Sequence, residues 1–316
     1  MTSEQVSDKD GASMAGSVGF IGLGRMGFPM ARHLAEAGFS VRGYDSNAEV
    51  RTRFAKAIRT ESDVTLAELA KASTIVITML PTSKIVSDAL VGEGGIAEHL
   101  SRGTIVVDMS TSDPTDTQRL SATLAQKDIE LVDAPVAGGV VFAEDGTLDI
   151  LTGGRRETVD RLERIFKAIG RQTFYCGGVG SAHAMKALNN YVNAAVMSVY
   201  MEAMVAGKRF GLEEPVIREA LEAATLDRNH PYPKKIQTQV YPRAFNSQMA
   251  LGLIAKDLGI AANLGKSVDL ETPLADAVSN LWSRACEELG HDADQTELVR
   301  FWEKRAGVKL GGMPDI

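Results

Sequence analysis

Lys186 and Asn190 stand four residues apart, so on a helix they share one face, with Asn189 and Asn193 beside them. Asparagine is a poor helix former, and such a cluster marks amides in use. A lysine held away from water loses basicity and can take a proton from a hydroxyl group; as an ammonium it polarises a carbonyl oxygen. An amide one turn on holds the same oxygen or orients the amine. The opposite face, Leu188, Val192, Ala195 and Val199, reads as apolar and buried in a helical domain. Where that proton loss is half of an alcohol oxidation, a hydride must leave the carbon as well and needs an acceptor. A second motif, far upstream, answers that need: Gly22-Leu23-Gly24-Arg25-Met26-Gly27, directly behind the apolar run Val18 to Ile21. Gly22 permits a tight turn, Gly24 lets the backbone approach a pyrophosphate, and Gly27 lets helix and strand pack closely. The helix that opens there offers N–H groups and a positive dipole end to phosphates. Asp45 ends the next apolar stretch. A carboxylate there binds both ribose hydroxyls of NAD and repels the extra phosphate of NADP. Ser46 and Asn47 bring no positive charge, and alternation points Arg42 away from Asp45. The expectation is NAD rather than NADP.

These residues need a scaffold that alternates strand and helix. Strand-like runs recur at Val18–Ile21, Ser40–Asp45, Thr74–Met79, Thr104–Asp108, Glu130–Val136, Leu148–Thr152 and Thr173–Tyr175. Helical stretches such as Thr115–Gln126 and Arg156–Ile169 lie between them. That alternation predicts an α/β fold with a mostly parallel sheet. After Gly180 the strand pattern stops. Residues 181–210 form one long helical pattern, followed by Glu214–Thr225, Leu251–Leu264, Pro273–Leu289 and Asp294–Lys304, with a loop-rich stretch around Pro231, Pro233 and Pro242. The expected organisation is a disordered tail over 1–16, a Rossmann NAD-binding domain over 17–180, and an all-α domain over 181–316, joined by a long interdomain helix. Met14 is a second candidate start. Trp282, Tyr232 and Arg228 lie in the helical part that could shape a pocket. The formal charge of −7 over 316 residues argues against nucleic acid as the main partner and leaves any attraction for an anionic substrate to local groups. Cys176 and Cys286 form no CxxC and read as reduced core thiols; the five histidines are scattered, so no metal site is expected. No apolar run is long enough to span a membrane, and a cytoplasmic protein is expected.

The motifs resemble the β-hydroxyacid dehydrogenase family over nearly the whole chain. Phe20 to Ala31 is similar to its N-terminal signature, Asp133 to Gly139 to its substrate segment, Gly178 through Lys186 to Asn190 to its catalytic segment, and Lys256-Asp257-Leu258 to its C-terminal pair. The resemblance implies that Lys186 is the catalytic lysine and Asn190 its partner. It also implies that Leu80, Pro81 and Thr111 contact the cofactor, and that Lys256 closes over cofactor and substrate, with Asp257 beside it. Ala137, Gly138 and Gly139 would then hold a small anionic hydroxy acid, such as 3-hydroxyisobutyrate, glycerate or threonate, oxidised to a semialdehyde or 3-keto acid. Dimers or tetramers built through the helical domain are implied as well. Two departures stand out. Ala137 replaces the family's usual serine, removing one donor to the substrate carboxylate, a loss of roughly 1.5–3 kcal/mol for a bond to a charged group. Ala182 replaces a glycine. Imine reduction, and a non-catalytic dinucleotide-binding scaffold, remain as other readings; Lys186 and Asp45 argue against the first, and the retained lysine without an appended domain against the second.

Overall fold

The computed structural model describes residues 16–62, 64–227, 230–267, 269–307 and 309–311; residues 1–15 of the expected tail, with Met14, and Arg228 lie outside them. The expected strands and helices alternate along the first part of the chain. They run β1 (Ser17–Ile21), α1 (Gly27–Glu36), β2 (Ser40–Tyr44), α2 (Ala48–Ile58), α3 (Leu66–Lys71), β3 (Ile75–Thr78), α4 (Ser83–Val91), β4 (Ile105–Asp108), α5 (Pro114–Ala125) and β5 (Glu130–Asp133). There follow β6 (Val136–Ala137), α6 (Val140–Glu144), β7 (Leu148–Gly153), α7 (Arg156–Arg161), α8 (Glu163–Ile169) and β8 (Gly170–Gly177).

The helix starts are written locally. Asn47 caps α2 by accepting the Glu49 N–H, Thr65 and Glu68 close a reciprocal capping box on α3, and Asp113 caps α5 just before Pro114. Gly38 follows α1 in the left-handed region, at φ +89°, where a glycine ends a helix without strain.

The strands form one eight-stranded sheet in the order β2-β1-β3-β4-β5-β7-β6, with β8 on β7. β2, β1, β3, β4 and β5 are all parallel. Each of the inner strands buries alternate residues on opposite faces: Ile77, Val107 and Val132 belong to one apolar core, and Val76, Val106 and Leu131 to another. This is why the strands read as continuous apolar runs rather than as alternating ones. The expected strand Glu130–Val136 is broken. β5 stops at Asp133, and Val136 and Ala137 pair antiparallel with β7 instead. Pro135 has no N–H to donate to a ladder, and its carbonyl accepts from Leu151. The expected helix Arg156–Ile169 divides at Leu162.

α9 (Ser181–Phe210) is one helix of 30 residues. It leads to α10 (Glu214–Leu221), α11 (Leu251–Ser267), α12 (Pro273–Leu289) and α13 (Leu298–Ala306). Among the described residues this part of the chain holds no strand, only an isolated bridge between Ala250 and Asp294. The proline-rich stretch expected as loop is instead a wide helical turn, Tyr232–Val240, with five-residue hydrogen-bond spacing. Pro231 and Pro233 fall at its start, where the missing N–H groups have no partner to lose. The fold is thus an N-terminal Rossmann domain followed by an all-α domain, joined by the long helix α9.

The chain divides into two compact units, Met1–Tyr191 and Val192–Ile316. The second has a small core of Leu251, Ala285, Cys286 and Phe301, with Trp282 packed against it. Tyr232 lies exposed, edge-on to Tyr241. Of the two thiols, Cys286 is buried and Cys176 half-buried on β8, so only the first is a core thiol. Of the face of α9 expected to be buried, Leu188, Val192 and Val199 are 58%, 55% and 46% exposed on the single chain and Ala195 is half-buried; Val196 beside them is 46% exposed. A periodic apolar face says that something covers it, not that the covering element lies in the same chain. No helix among the described residues is long and apolar enough to cross a membrane.

Candidate functional site

The strand order reverses between β1 and β3, and there a groove of about 800 Å³ opens beyond the strand ends. Open α/β sheets take ligands at this position. Gly22, Gly24, Arg25, Met26, Gly27, Asp45, Leu80 and Pro81 all line it. Gly22 has φ +96°, and a Cβ on it would strike the Met79 carbonyl; a Cβ on Gly27 would strike the Gly22 carbonyl. These two glycines are there so that backbone can lie against backbone. At Gly24 an added Cβ would meet no atom within 4 Å, so the loop is open on the side where a pyrophosphate would approach. Met26, at the N-cap of α1, makes no side-chain cap, which leaves the helix end facing the groove. The donor set fits a dinucleotide.

Leu23 does not line the groove. Its side chain is wholly buried, and its N–H donates to Asp45 Oδ2 at 2.8 Å. Asp45 Oδ1 accepts the Asn47 N–H at 2.9 Å, so the carboxylate is fixed at the groove's lip. A cation also stands there that a reading of immediate neighbours misses. Arg51, one turn into α2, donates to the Asp45 carbonyl at 2.7 Å and lies 5.6 Å from the Tyr44 ring centre. Its signal in the sequence is only its place on the first turns of a helix capped by Asn47.

Thr111 follows β4 and is exposed, while Ser110 before it is buried. Ser110 Oγ accepts the Leu80 N–H at 2.9 Å, which joins the loop after β3 to the loop after β4. Ala137 is half-buried at the end of β6, and Gly138 and Gly139 follow at φ +126° and +81°. A Cβ on Gly138 would come within 2.9 Å of Phe142, so both glycines are needed for the turn into α6. Thr111, Ala137, Gly138, Gly139, Lys186 and Asn190 lie outside the groove lining.

Lys186 is half-buried on α9, and burial alone pushes its pKa below the ordinary lysine value. Asn189 is half-buried and Asn190 exposed, one turn along the same helix. Lys256, on α11, is exposed and belongs to the second unit; the side chain of Asp257 lies outside the described residues.

The fold and the groove define a dinucleotide-binding protein of the Rossmann type. Residues 17–178 match the NAD binding domain of 6-phosphogluconate dehydrogenase, and residues 180–302 match the NAD-binding domain of NADP-dependent 3-hydroxyisobutyrate dehydrogenase. The chain is 31% identical over 300 residues to 2-(hydroxymethyl)glutarate dehydrogenase of Eubacterium barkeri, covering 93% of this chain and 97% of that one. It is 34% identical over 273 residues to 3-sulfolactaldehyde reductase of Escherichia coli, covering 85% and 90%. The structure of 3-hydroxyisobutyrate dehydrogenase from Mycobacterium tuberculosis with L-serine matches with a TM-score of 0.63 at 26% identity, over 92% of this chain and 99% of that one.

The chain belongs to the β-hydroxyacid dehydrogenase family. It is an NAD-dependent dehydrogenase that acts on the hydroxyl group of its donor.

Proposed function

We propose that the protein oxidises a small 3-hydroxy acid to the semialdehyde or 3-keto acid, with Lys186 as the catalytic amine and Asn190 as its partner. The observation that carries this reading is a lysine whose burial lowers its pKa, on the helix that directly follows the dinucleotide-binding fold. NAD, when bound, supplies the hydride acceptor. Lys186 in its neutral form takes the hydroxyl proton as the carbonyl forms, and in the reverse direction its ammonium returns it. The Asn190 amide donates to the same oxygen, or holds the amine toward it. The N–H groups of Gly138 and Gly139, in a turn that only glycine adopts easily, receive the acid group of the substrate. The Asp45 carboxylate takes the ribose hydroxyls and selects NAD over NADP.

Ala137 leaves the choice of acid open. A hydroxymethyl carbon next to a carboxylated carbon, as in 3-hydroxyisobutyrate or 2-(hydroxymethyl)glutarate, suits the chemistry of the lysine; a sulfonate would need the same two glycine donors. An initial-rate panel at alkaline pH tests the reading. It pairs NAD and NADP with 3-hydroxyisobutyrate, 3-hydroxypropionate, glycerate, threonate, L-serine and 2-(hydroxymethyl)glutarate, with Lys186→Ala as the blank. NAD reduction by one of these, absent from the blank, is the expected result. Equal turnover by the blank would remove Lys186 from the chemistry.

A further inference from the structure

The first turn of α9 is tied to the sheet by buried polar groups from several elements. Asp133, the last residue of β5, is 0% exposed. Its Oδ1 accepts the N–H of Gly180 at 2.8 Å, and its Oδ2 accepts the N–H groups of Ala182 at 2.9 Å and His183 at 3.0 Å. Gly153, opposite Asp133 on β7, makes room for this carboxylate: a Cβ there would stand 2.6 Å from Oδ1. Gly180 turns the chain into the helix at φ +90°. The imidazole of His183, also 0% exposed, reaches in the other direction. Its Nδ1 lies 2.7 Å from Thr117 Oγ1 on α5, and its Nε2 lies 3.1 Å from the Ser110 carbonyl. A carbonyl only accepts, so Nε2 carries a proton. Asp108 Oδ2 lies 3.7 Å from Nε2, and Asp108 Oδ1 accepts from the Thr78 hydroxyl and the Ser110 N–H.

The network is larger than helix capping requires. A serine or threonine hydroxyl satisfies a helix start. Here a wholly buried carboxylate and a wholly buried imidazole do so, and desolvating such groups is costly unless each is fully bonded. What the arrangement adds is a fixed phase. A helix turns about 100° and rises about 1.5 Å per residue, so a small slip of the first turn carries every later side chain to a new direction. Lys186 is one turn beyond Ala182 and His183.

We propose that Asp133 and His183 are positioning residues for Lys186: they lock the phase and height of α9 against the strand ends that carry Leu80 and Ser110. This rests on Lys186 being the catalytic amine. It makes two buried polar groups, neither of which needs to touch substrate, responsible for where the amine stands relative to the loops after β3 and β4.

The test uses the full-length protein with NAD bound and the variants Asp133→Asn, His183→Gln, Thr117→Val and Thr117→Ser. The main readout is the pKa of Lys186 by competitive acetylation with acetic anhydride, followed by peptide mass spectrometry. It is paired with NAD affinity by calorimetry and with kcat for 3-hydroxyisobutyrate. In Asp133→Asn and His183→Gln the Lys186 pKa rises toward that of the surface lysines. NAD affinity stays within about twofold, and kcat falls about 100-fold, the scale of an ångström's misplacement. Thr117→Val gives a smaller change in the same direction, and Thr117→Ser, which keeps the hydroxyl, recovers most of it. Variants that lose thermal stability but keep the Lys186 pKa and kcat per NAD-binding site would overturn the proposal, since a purely structural anchor predicts that pattern. If Asp133→Asn does not fold, His183→Gln and the Thr117 pair decide alone. Failure of the catalytic assignment is separately visible, as turnover retained by Lys186→Ala; the acetylation result stands whatever the substrate.

Discussion

At Lys186, burial and charge oppose each other, and the sign of that conflict makes predictions. Burial disfavours the ammonium, so the amine is neutral at a lower pH than an ordinary lysine. With Lys186 as the proposed proton acceptor, the neutral form is the one active in oxidation. kcat/KM therefore rises with pH and levels off below the ordinary lysine pKa of about 10.4; for reduction the profile runs the other way. The same group lowers stability. The cost is full below its folded-state pKa and vanishes as pH rises through the unfolded-state value, because only the ammonium resents burial. Lys186→Met should remove turnover by at least about 100-fold. It should also raise Tm at neutral pH and give no gain at alkaline pH. A Tm that falls at neutral pH would mean that the amine is held by bonds rather than tolerated. Asp45 is the second residue with a measurable sign. Asp45→Ser removes the negative charge and leaves Arg51 beside the ribose site, so the preference for NAD over NADP should narrow about tenfold or more, as expected when like-charge repulsion is relieved. Unchanged selectivity in initial rates would show that another group reads the ribose.

At the level of elements, the short turns decide more than the long helices. The Gly22 to Gly27 loop is shaped by carbonyls that approach where side chains would stand. The β6 turn is shaped by Pro135, which ends one strand pairing and lets Val136 and Ala137 start another, antiparallel to β7. Ala137 is thereby delivered half-buried to the mouth of the Gly138-Gly139 turn. A serine in its place would add one donor to that turn. Ala137→Ser should lower KM for 3-hydroxyisobutyrate, by an amount corresponding to about 1.5–3 kcal/mol of binding if the added bond reaches a carboxylate. A rise in KM would mean that the methyl group is fitted to a different ligand. In the helical part, Glu202 on α9 accepts the N–H groups of Leu274 and Ala275, and so starts α12 where Thr272 makes no side-chain cap.

At the scale of the whole molecule, α9 carries a run of exposed apolar side chains among the described residues. Leu188, Val192, Val196 and Val199 repeat at helical spacing and stand about half exposed on the single chain. The family resemblance implies dimers or tetramers, and a second copy is the covering that reading supplies. Val196→Glu with Val199→Glu, both beyond the Lys186 turn, should shift the protein to a smaller species in light scattering after size exclusion. An unchanged mass, equal to that of the wild type, would move the interface elsewhere. The net charge of −7 gives no general attraction for an anionic ligand, so any attraction is local; Arg25 lines the groove and Arg51 donates to the Asp45 carbonyl at its lip.

Much of this was legible in the chain alone. Periodicity and turn residues carry local information, so the Rossmann alternation, the glycine cradle with Asp45, the long helix and its face of Lys186 and Asn190 could all be read from residues a few positions apart. Tertiary structure decided what depends on partners distant in sequence. Asp133 is a plain strand-end aspartate until α9, nearly fifty residues later, sets its N–H groups on the carboxylate at 2.8–3.0 Å. His183 is one scattered histidine until Ser110 and Thr117 meet its two nitrogens. The apolar face of α9 is visible as a pattern, but on the single chain Leu188, Val192 and Val199 stay about half exposed, since a period specifies which side is apolar and not what lies against it.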